Sequence, residues 1–298
     1  MNLEECDAEF ENIESSRDSD AIRLSFLRLL EDHPDINLGF GRGGIYWRAR
    51  LSDRWGFTCE SEVGYPPPSI ARAGRLNDVG SPCLYLSAKR ETALAEIGAE
   101  AGNYVHLVGF RVLADQILRT IAIGELGHVQ KTGYVRITGV DPKLTIARLL
   151  NRYPPEQGLR VVYIDSYLGS VLSDPDARES DYLRTQILAK LLYRRSQAVG
   201  MFYPSVRSPL GINLAVSAPA ADSLFHSAAS VVVRVKRVLR FGYFDFDIVR
   251  TAKDVGADGQ FMWQTPEHPQ HMHVFHLSKE EHDKLAHNRS SVLDLLAR

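Results

Sequence analysis

Four short stretches of the chain bring together side chains able to do chemistry. Along Tyr46-Trp47-Arg48-Ala49-Arg50 the arginines stand two residues apart, which in an extended strand sends Arg48 and Arg50 to one face. That pattern fits either an exposed, salt-bridged strand or an anion-binding edge. Arg72-Ala73-Gly74-Arg75-Leu76-Asn77-Asp78-Val79-Gly80 is a glycine-containing loop with two guanidinium groups and an amide, suited to gripping an anionic ligand through paired N–H donors. Cys83-Leu84-Tyr85-Leu86 is β-prone and leads through Ser87 into Glu91-Thr92-Ala93-Leu94-Ala95-Glu96-Ile97. There Glu96 is either a solvated outer-face carboxylate or a functional charge. Tyr203-Pro204-Ser205-Val206-Arg207 puts a hydroxyl and a guanidinium at one strand exit, although a serine in such a place is commonly a turn residue.

The elements that must position these groups follow from periodicity and punctuation. Residues 1–19 are polar and acidic and are expected to be loosely ordered at their start. Asp20 is placed as the N-cap of a helix with Ile22, Phe26, Leu29 and Leu30 on one face, closed at His33-Pro34 because a residue before proline leaves the helical region. Gly39-Phe40-Gly41-Arg42-Gly43-Gly44 imitates a phosphate loop, but a helix precedes it and a β-like run follows, so it is read as a turn. The stretch 56–82 reads as a long loop, and long loops in compact domains tend to be functional. Ser87 is expected to cap a helix that begins near Glu91. Strands are predicted at Val105–Val112, Val161–Asp165, Val199–Tyr203, Leu210–Val216 and Val231–Val238. The strongest helix opens at Ser180 or Asp181, with the stripe Leu183, Ile187, Leu188, Leu191 and Leu192. Ser278-Lys279-Glu280-Glu281 is a capping box for a last helix. Short strands mixed with isolated helices, without βαβ alternation, indicate an α+β fold.

Composition narrows the function classes. The chain has 298 residues, Lys+Arg 35 against Asp+Glu 37, a net charge of −2 and 44% apolar residues. Such proportions belong to a soluble globular protein rather than a disordered one. The near-neutral balance speaks against wholesale nucleic-acid binding. The three cysteines, Cys6, Cys59 and Cys83, contain no CxxC, so they are read as reduced thiols. The acidic N-terminus does not resemble a secretory signal, and no apolar run reaches the length of a membrane span. A cytoplasmic location is therefore expected.

The order and local wording of several blocks carry a resemblance. Arg75-Leu76-Asn77, Gly80-Ser81-Pro82-Cys83-Leu84-Tyr85-Leu86, Glu91 to Glu96, the helix around Asp181 to Gln186, and Tyr203 to Arg207 followed by Gly211 to Val216 together resemble the RES domain family over residues 41–216. That family is named for an arginine, a glutamate and a serine. The resemblance implies a fold like the ADP-ribosyltransferases, with mixed sheets around an NAD cleft and flanking helices. It implies an activity that consumes NAD+ as substrate, by water, by phosphate as co-substrate or by transfer to a protein, with no true cofactor; the sequence itself offers no metal motif. It further implies a toxin-like role with an Xre-type helix-turn-helix antitoxin as partner, and leaves room for a homodimer. By match to the family, Glu96, Arg75, Tyr85 and Ser205 are the catalytic candidates, and Arg48, Arg75, Tyr85 and Ser205 the NAD-binding ones, to which the loop groups Asn77 and Arg207 are added from their residue types. No histidine lies near Ser205 in sequence, which favours a hydrogen-bonding role over a nucleophilic one.

The chain departs from the family at Leu76, where the family usually has tryptophan, and in a longer segment 113–178. The expected organisation is a helical arm over 1–40, a catalytic domain over 41–216 and a C-terminal extension over 217–298 that packs on or completes the core. Three functional readings follow. They are an NAD glycohydrolase or phosphorylase, a mono-ADP-ribosyltransferase acting on a protein, and a non-catalytic interaction protein on the same scaffold. Two further features fall outside these readings. His268, His271, His273, His276, His282 and His287 cluster late in the chain, without a recognised metal motif. The basic stripe Arg234, Lys236, Arg237 and Arg240 reads as a solvated strand face.

Overall fold

The computed structural model describes residues 1–272 apart from 32, 138, 141–143, 209 and 269. The chain opens with two helices, α1 (Leu3–Ser15) and α2 (Ser19–Glu31). The first corrects the expectation of a loose N-terminus. Asn2 and Glu5 form a reciprocal capping box at 2.8 Å each way, and Cys6, Phe10 and Ile13 recur at helical spacing to bury one face. In α2 the first turn begins at Ser19, and Asp18 Oδ1, not Asp20, accepts a free N–H at the helix start.

The strands are β1 (Asn37–Phe40), β2 (Tyr46–Ser52), β3 (Cys83–Ser87), β4 (Tyr104–Val112), β5 (Leu118–Ala122), β6 (Tyr134–Val135), β7 (Gly139–Val140), β8 (Gly200–Pro204), β9 (Ile212–Ser217), β10 (Phe225–Val238), β11 (Phe244–Val255), β12 (Phe261–Gln264) and β13 (Gln270–Met272). Gly39 and Phe40, expected in a turn, belong to β1. Between the strands lie α3 (Glu60–Val63), α4 (Arg90–Glu96), α5 (Glu125–Thr132), α6 (Thr145–Leu150), α7 (Pro155–Leu172), α8 (Leu183–Arg195) and α9 (Ala218–Leu224). The class is α+β, as expected from the lack of βαβ alternation. The main sheet runs β1-β5-β8-β9-β3-β2-β4-β10-β11-β12, with β13 on β11. Among its described pairs β5–β8 is parallel and the rest are antiparallel.

Three expectations fail for physical reasons. Val161–Asp165 is not a strand but the middle of α7, where Val161, Ile164, Leu168, Val171 and Leu172 recur at helical period and are buried; a β-branched start disguised the longer pattern. Ser87 does not cap α4, whose N-cap residue is Lys89; its hydroxyl donates instead to Asn213 Oδ1. The strong helix begins at Leu183, after Asp181 and Tyr182 adopt left-handed backbone with φ of 49° and 60°. The loop 56–82 holds α3 and a tight turn at Pro68–Ile70. The Ser278–Glu281 capping box lies outside the described residues.

Helices α1, α2, α7 and α8 pack together against β8 and β9 around Phe26, Leu29, Ile164, Leu168, Leu188 and Met201. A second core joins the other side of that half-sheet to α5 and α7 through Phe202, Leu214, Leu126 and Val161. A third joins α4 to the β2–β4–β10–β11 half through Leu94, Leu107, Val233 and Phe246. Strand β10 pairs with β4 from Phe225↔Val112 to Arg234↔Tyr104, so residues beyond 216 enter the same sheet. On β10, Arg237 pairs with Asp245 at 2.7 Å, and Lys236 faces Asp247 at 3.8 Å. No helix among the described residues is long and apolar enough to cross a membrane.

Candidate active site

The sheet nearly divides at one point. Strand β2 pairs with β4 along its whole length, and β3 pairs with β9 along its own. Between β2 and β3, however, the register holds only Trp47↔Ser87. Past that pair the strands diverge, and a side chain takes over where backbone pairing stops: Arg48 Nη1 donates to the Tyr85 carbonyl at 3.0 Å. The fork opens a cleft of about 260 Å³, lined by Trp47, Arg48, Gly74, Arg75, Tyr85, Glu96, Tyr182, Tyr203 and Asn213, among others. Four of the seven residues named from sequence, Arg48, Arg75, Tyr85 and Glu96, thus share one cavity.

One lip carries the cations. Arg48 is half-buried, and its Nε has no hydrogen-bond partner. Burial, reinforced by the Arg50 charge, pushes its guanidinium down to about 10. Arg75 is held by the Leu172 carbonyl at 3.4 Å and lies 5.9 Å from the Tyr182 ring. The left-handed backbone at Tyr182 is strained for a bulky residue, and such strain concentrates at functional sites.

The loop that presents Arg75 is tied down on three sides. The Tyr85 hydroxyl accepts the Leu76 N–H at 3.0 Å and donates to Asn77 Oδ1 at 2.8 Å. Gln186 of α8 donates to the carbonyls of Gly74 and Asn77 at 3.1 and 3.0 Å. Lys190, one turn on, pairs with Asp78 at 2.9 Å. Gly74 is required here, because a Cβ would stand 2.5 Å from Asn77 Oδ1 and 2.8 Å from the Tyr85 hydroxyl. Asn77 spends its amide on the Arg72 and Asp78 carbonyls, both at 2.9 Å. It shapes the loop and does not line the cleft.

The other lip carries the carboxylate. Glu96 ends α4, and its Oε1 accepts from Ser205 Oγ and from Asn213 Nδ2, each at 2.6 Å. Ser205 Oγ in turn accepts the N–H groups of Arg207 and Ser208 at 3.2 and 3.0 Å. Its lone pairs and its proton are all engaged, so it positions Glu96 and is poorly placed to attack. Arg207 contributes that backbone N–H, while its own side chain is exposed and outside the cleft lining. Tyr85 and Tyr203 have hydroxyls held above their usual range by burial, so both stay neutral and protonated. Sequence reasoning missed Asn213, Gln186, Tyr182 and Tyr203. Asn213 did leave a trace, as the polar residue inside the apolar run Ile212–Val216.

No group of His, Cys, Asp and Glu able to hold a metal occurs among the described residues. His268 is exposed, and the side chains of the histidines after it lie outside the described residues. Cys6 and Cys83 are buried free thiols, and burial pushes Cys83 up to about 12.

Fold and site define an α+β domain whose sheet forks around a polar cleft, with guanidinium groups on one lip and a fixed carboxylate on the other. The chain belongs to the RES domain family, whose pattern matches residues 45–243 and so spans both halves of the forked sheet. No curated protein matches the sequence. Among solved structures, the crystal structure of the M. tuberculosis MbcT–MbcA toxin–antitoxin complex is similar at 14% identity, over 70% of this chain and 90% of that chain, with a TM-score of 0.35.

Proposed function

We propose that the protein cleaves the nicotinamide–ribose bond of NAD+, passing ADP-ribose to water or phosphate, and that it serves as the toxin of a toxin–antitoxin pair. Membership in the RES family supports this reading. The observation that carries it is the Glu96 carboxylate, fixed by Ser205 and Asn213 in the cleft that Arg48 and Arg75 also line. The pyrophosphate of NAD+ carries two negative charges, which planar guanidinium forks accept well. Breaking the glycosidic bond builds positive charge on the ribose, and a preorganised carboxylate beside it lowers that barrier. The second oxygen of Glu96 is left to orient a ribose hydroxyl or the incoming acceptor. The Tyr85 ring, fixed through its hydroxyl, offers a face to nicotinamide.

The test incubates purified protein with NAD+, with and without phosphate and with lysate protein, following free nicotinamide and ADP-ribose label. Nicotinamide release without labelled protein is expected, and Glu96→Gln should lower it at least about a hundredfold, the cost of one preorganised electrostatic group. Label on a protein would replace hydrolysis by ADP-ribosyl transfer. Unchanged NAD+ in every condition, with any inhibitory partner removed, would leave only an interaction protein. The toxin role adds that wild type slows growth on expression and Glu96→Gln does not, with an Xre-type protein as the expected neutralising partner.

A further inference from the structure

Ser87 and Asn213 sit opposite each other in the β3–β9 register. Both are buried, at 3% and 4% exposure. Ser87 is also the β3 residue of the single register pair that joins the two halves of the sheet. Its hydroxyl donates to Asn213 Oδ1 at 2.7 Å, and Asn213 Nδ2 donates to Glu96 Oε1 at 2.6 Å. The amide thus turns its oxygen to Ser87 and its NH₂ end to the carboxylate, using one acceptor and one donor in the same chain of bonds. Nδ2 and Ser205 Oγ converge on the same carboxylate oxygen.

We propose that Asn213, oriented by Ser87, is a positioning residue that locks Glu96 Oε1 and turns Oε2 alone toward the substrate, tying the carboxylate to the waist of the forked sheet. The proposal rests on the reading of Glu96 as the group facing the ribose. Two donors on one oxygen leave the other without a competing protein partner among the described residues. The anchor matters because α4 is short. Glu96 is its last residue, followed by Gly98 with φ of +62°, so the helix alone holds the carboxylate weakly. Ser205 lies on a half-buried loop outside the strands, whereas Asn213 lies on a strand paired on both sides, which makes it the firmer of the two supports.

Asn213→Leu removes the donor at similar volume. It should lower kcat for nicotinamide release by about a hundredfold, the cost of a misplaced reacting group, with the KM for NAD+ unchanged. Ser87→Ala, a milder variant that leaves the amide in place but free to turn, should lower kcat by about tenfold at unchanged KM. In a Glu96→Gln background Asn213→Leu should cost nothing further, because both changes remove the same function. Additive losses, or a KM effect matching the kcat effect in Ser87→Ala, would overturn the positioning role. An NMR readout stands apart from activity: the Asn213 side-chain amide protons should shift strongly in Glu96→Gln. Unmoved amide resonances would overturn the proposal even in an active enzyme. A wild-type protein that leaves NAD+ intact while those resonances shift would instead count against the proposed reaction.

Discussion

Replacing Tyr85 by phenylalanine separates two roles that the residue combines. The ring keeps its place beside the cleft, but the hydroxyl bridging Leu76 N–H and Asn77 Oδ1 is gone. Each of those bonds is worth about 1 kcal/mol net, and a buried N–H left unpaired adds a further cost of about 1 kcal/mol. Leu76 is only 8% exposed, so its N–H cannot turn readily to water. The held loop conformation therefore loses about 2–3 kcal/mol. Gln186 and the Lys190–Asp78 pair still restrain the same loop, so the lower figure applies to the position of Arg75. With about 1.4 kcal/mol per tenfold, and affinity scaling with the fraction of binding-competent loop, the KM for NAD+ should rise roughly 25-fold. The chemical step should change by less than about threefold, because the residue's ring and Glu96 are untouched. Thermal unfolding should fall by about 4–8 °C for a domain of this size. Initial rates of nicotinamide release across NAD+ concentrations, with a melting curve on the same sample, measure all three. A collapse of kcat at unchanged KM would refute the reasoning, since it would make the phenol proton part of the reaction.

Other consequences follow from single positions. Gly74→Ala forces a Cβ to 2.5 Å from Asn77 Oδ1; it should raise the KM for NAD+ more than Tyr85→Phe does, with far-ultraviolet circular dichroism unchanged. Arg48 is pushed down to about 10 by burial and by Arg50, so its charge is lost where an exposed arginine keeps its own; the KM for NAD+ should rise as pH passes 10, and Arg48→Gln should show a raised KM already at neutral pH. His106 is buried, accepts the Phe57 N–H at 3.1 Å and shares a 2.6 Å bond with Ser230 Oγ. Burial lowers it to about 4 from 6.5. Between these values the unfolded chain binds a proton that the folded chain refuses, so stability falls as pH drops through that window, by up to about 3 kcal/mol. Denaturant midpoints at pH 7 and pH 4.5 should differ less in His106→Gln than in wild type.

The legible part of the fold was the part written in local patterns. Strands β4, β8 and β9 and the stripe of α8 show their period over a few residues, and the α+β class follows from their order. Helix α1 was hidden because only Cys6, Phe10 and Ile13 mark its buried face in an otherwise acidic stretch. In α7 a β-branched segment imitates a strand unless all of its 18 residues are taken together. In the site, Arg48, Arg75, Tyr85 and Glu96 were visible by residue type and local wording. What those side chains touch was not. Ser87 reaches Asn213 across 126 positions, and Gln186 reaches Gly74 across 112. Such partners are set by register and helix docking, which no local window contains. Asn77 and Arg207 show the converse limit: polar residues next to a site earned a ligand role in sequence, while the fold spends the side chain of Asn77 and the backbone of Arg207 on loop shape.

The cleft places arginine and glutamate within one small cavity, yet among the described residues no ion pair joins them. Arg48 is met by a carbonyl, Arg75 by a carbonyl and an aromatic ring, and Glu96 by a hydroxyl and an amide. Every partner is neutral. A salt bridge across the cleft would gain Coulomb energy and would also cancel both fields before a ligand arrived. Neutral partners fix the geometry and leave both charges in force. The cost shows at Arg48, whose buried Nε goes without a partner and whose guanidinium is easier to deprotonate than usual. A free protein gains nothing from that arrangement. A ligand that is anionic at one end and becomes cationic at the other gains from both lips at once, and more in the transition state than in the ground state. That difference is the condition for catalysis rather than mere binding, and it is why the neutral donors around Glu96 matter as much as the carboxylate itself.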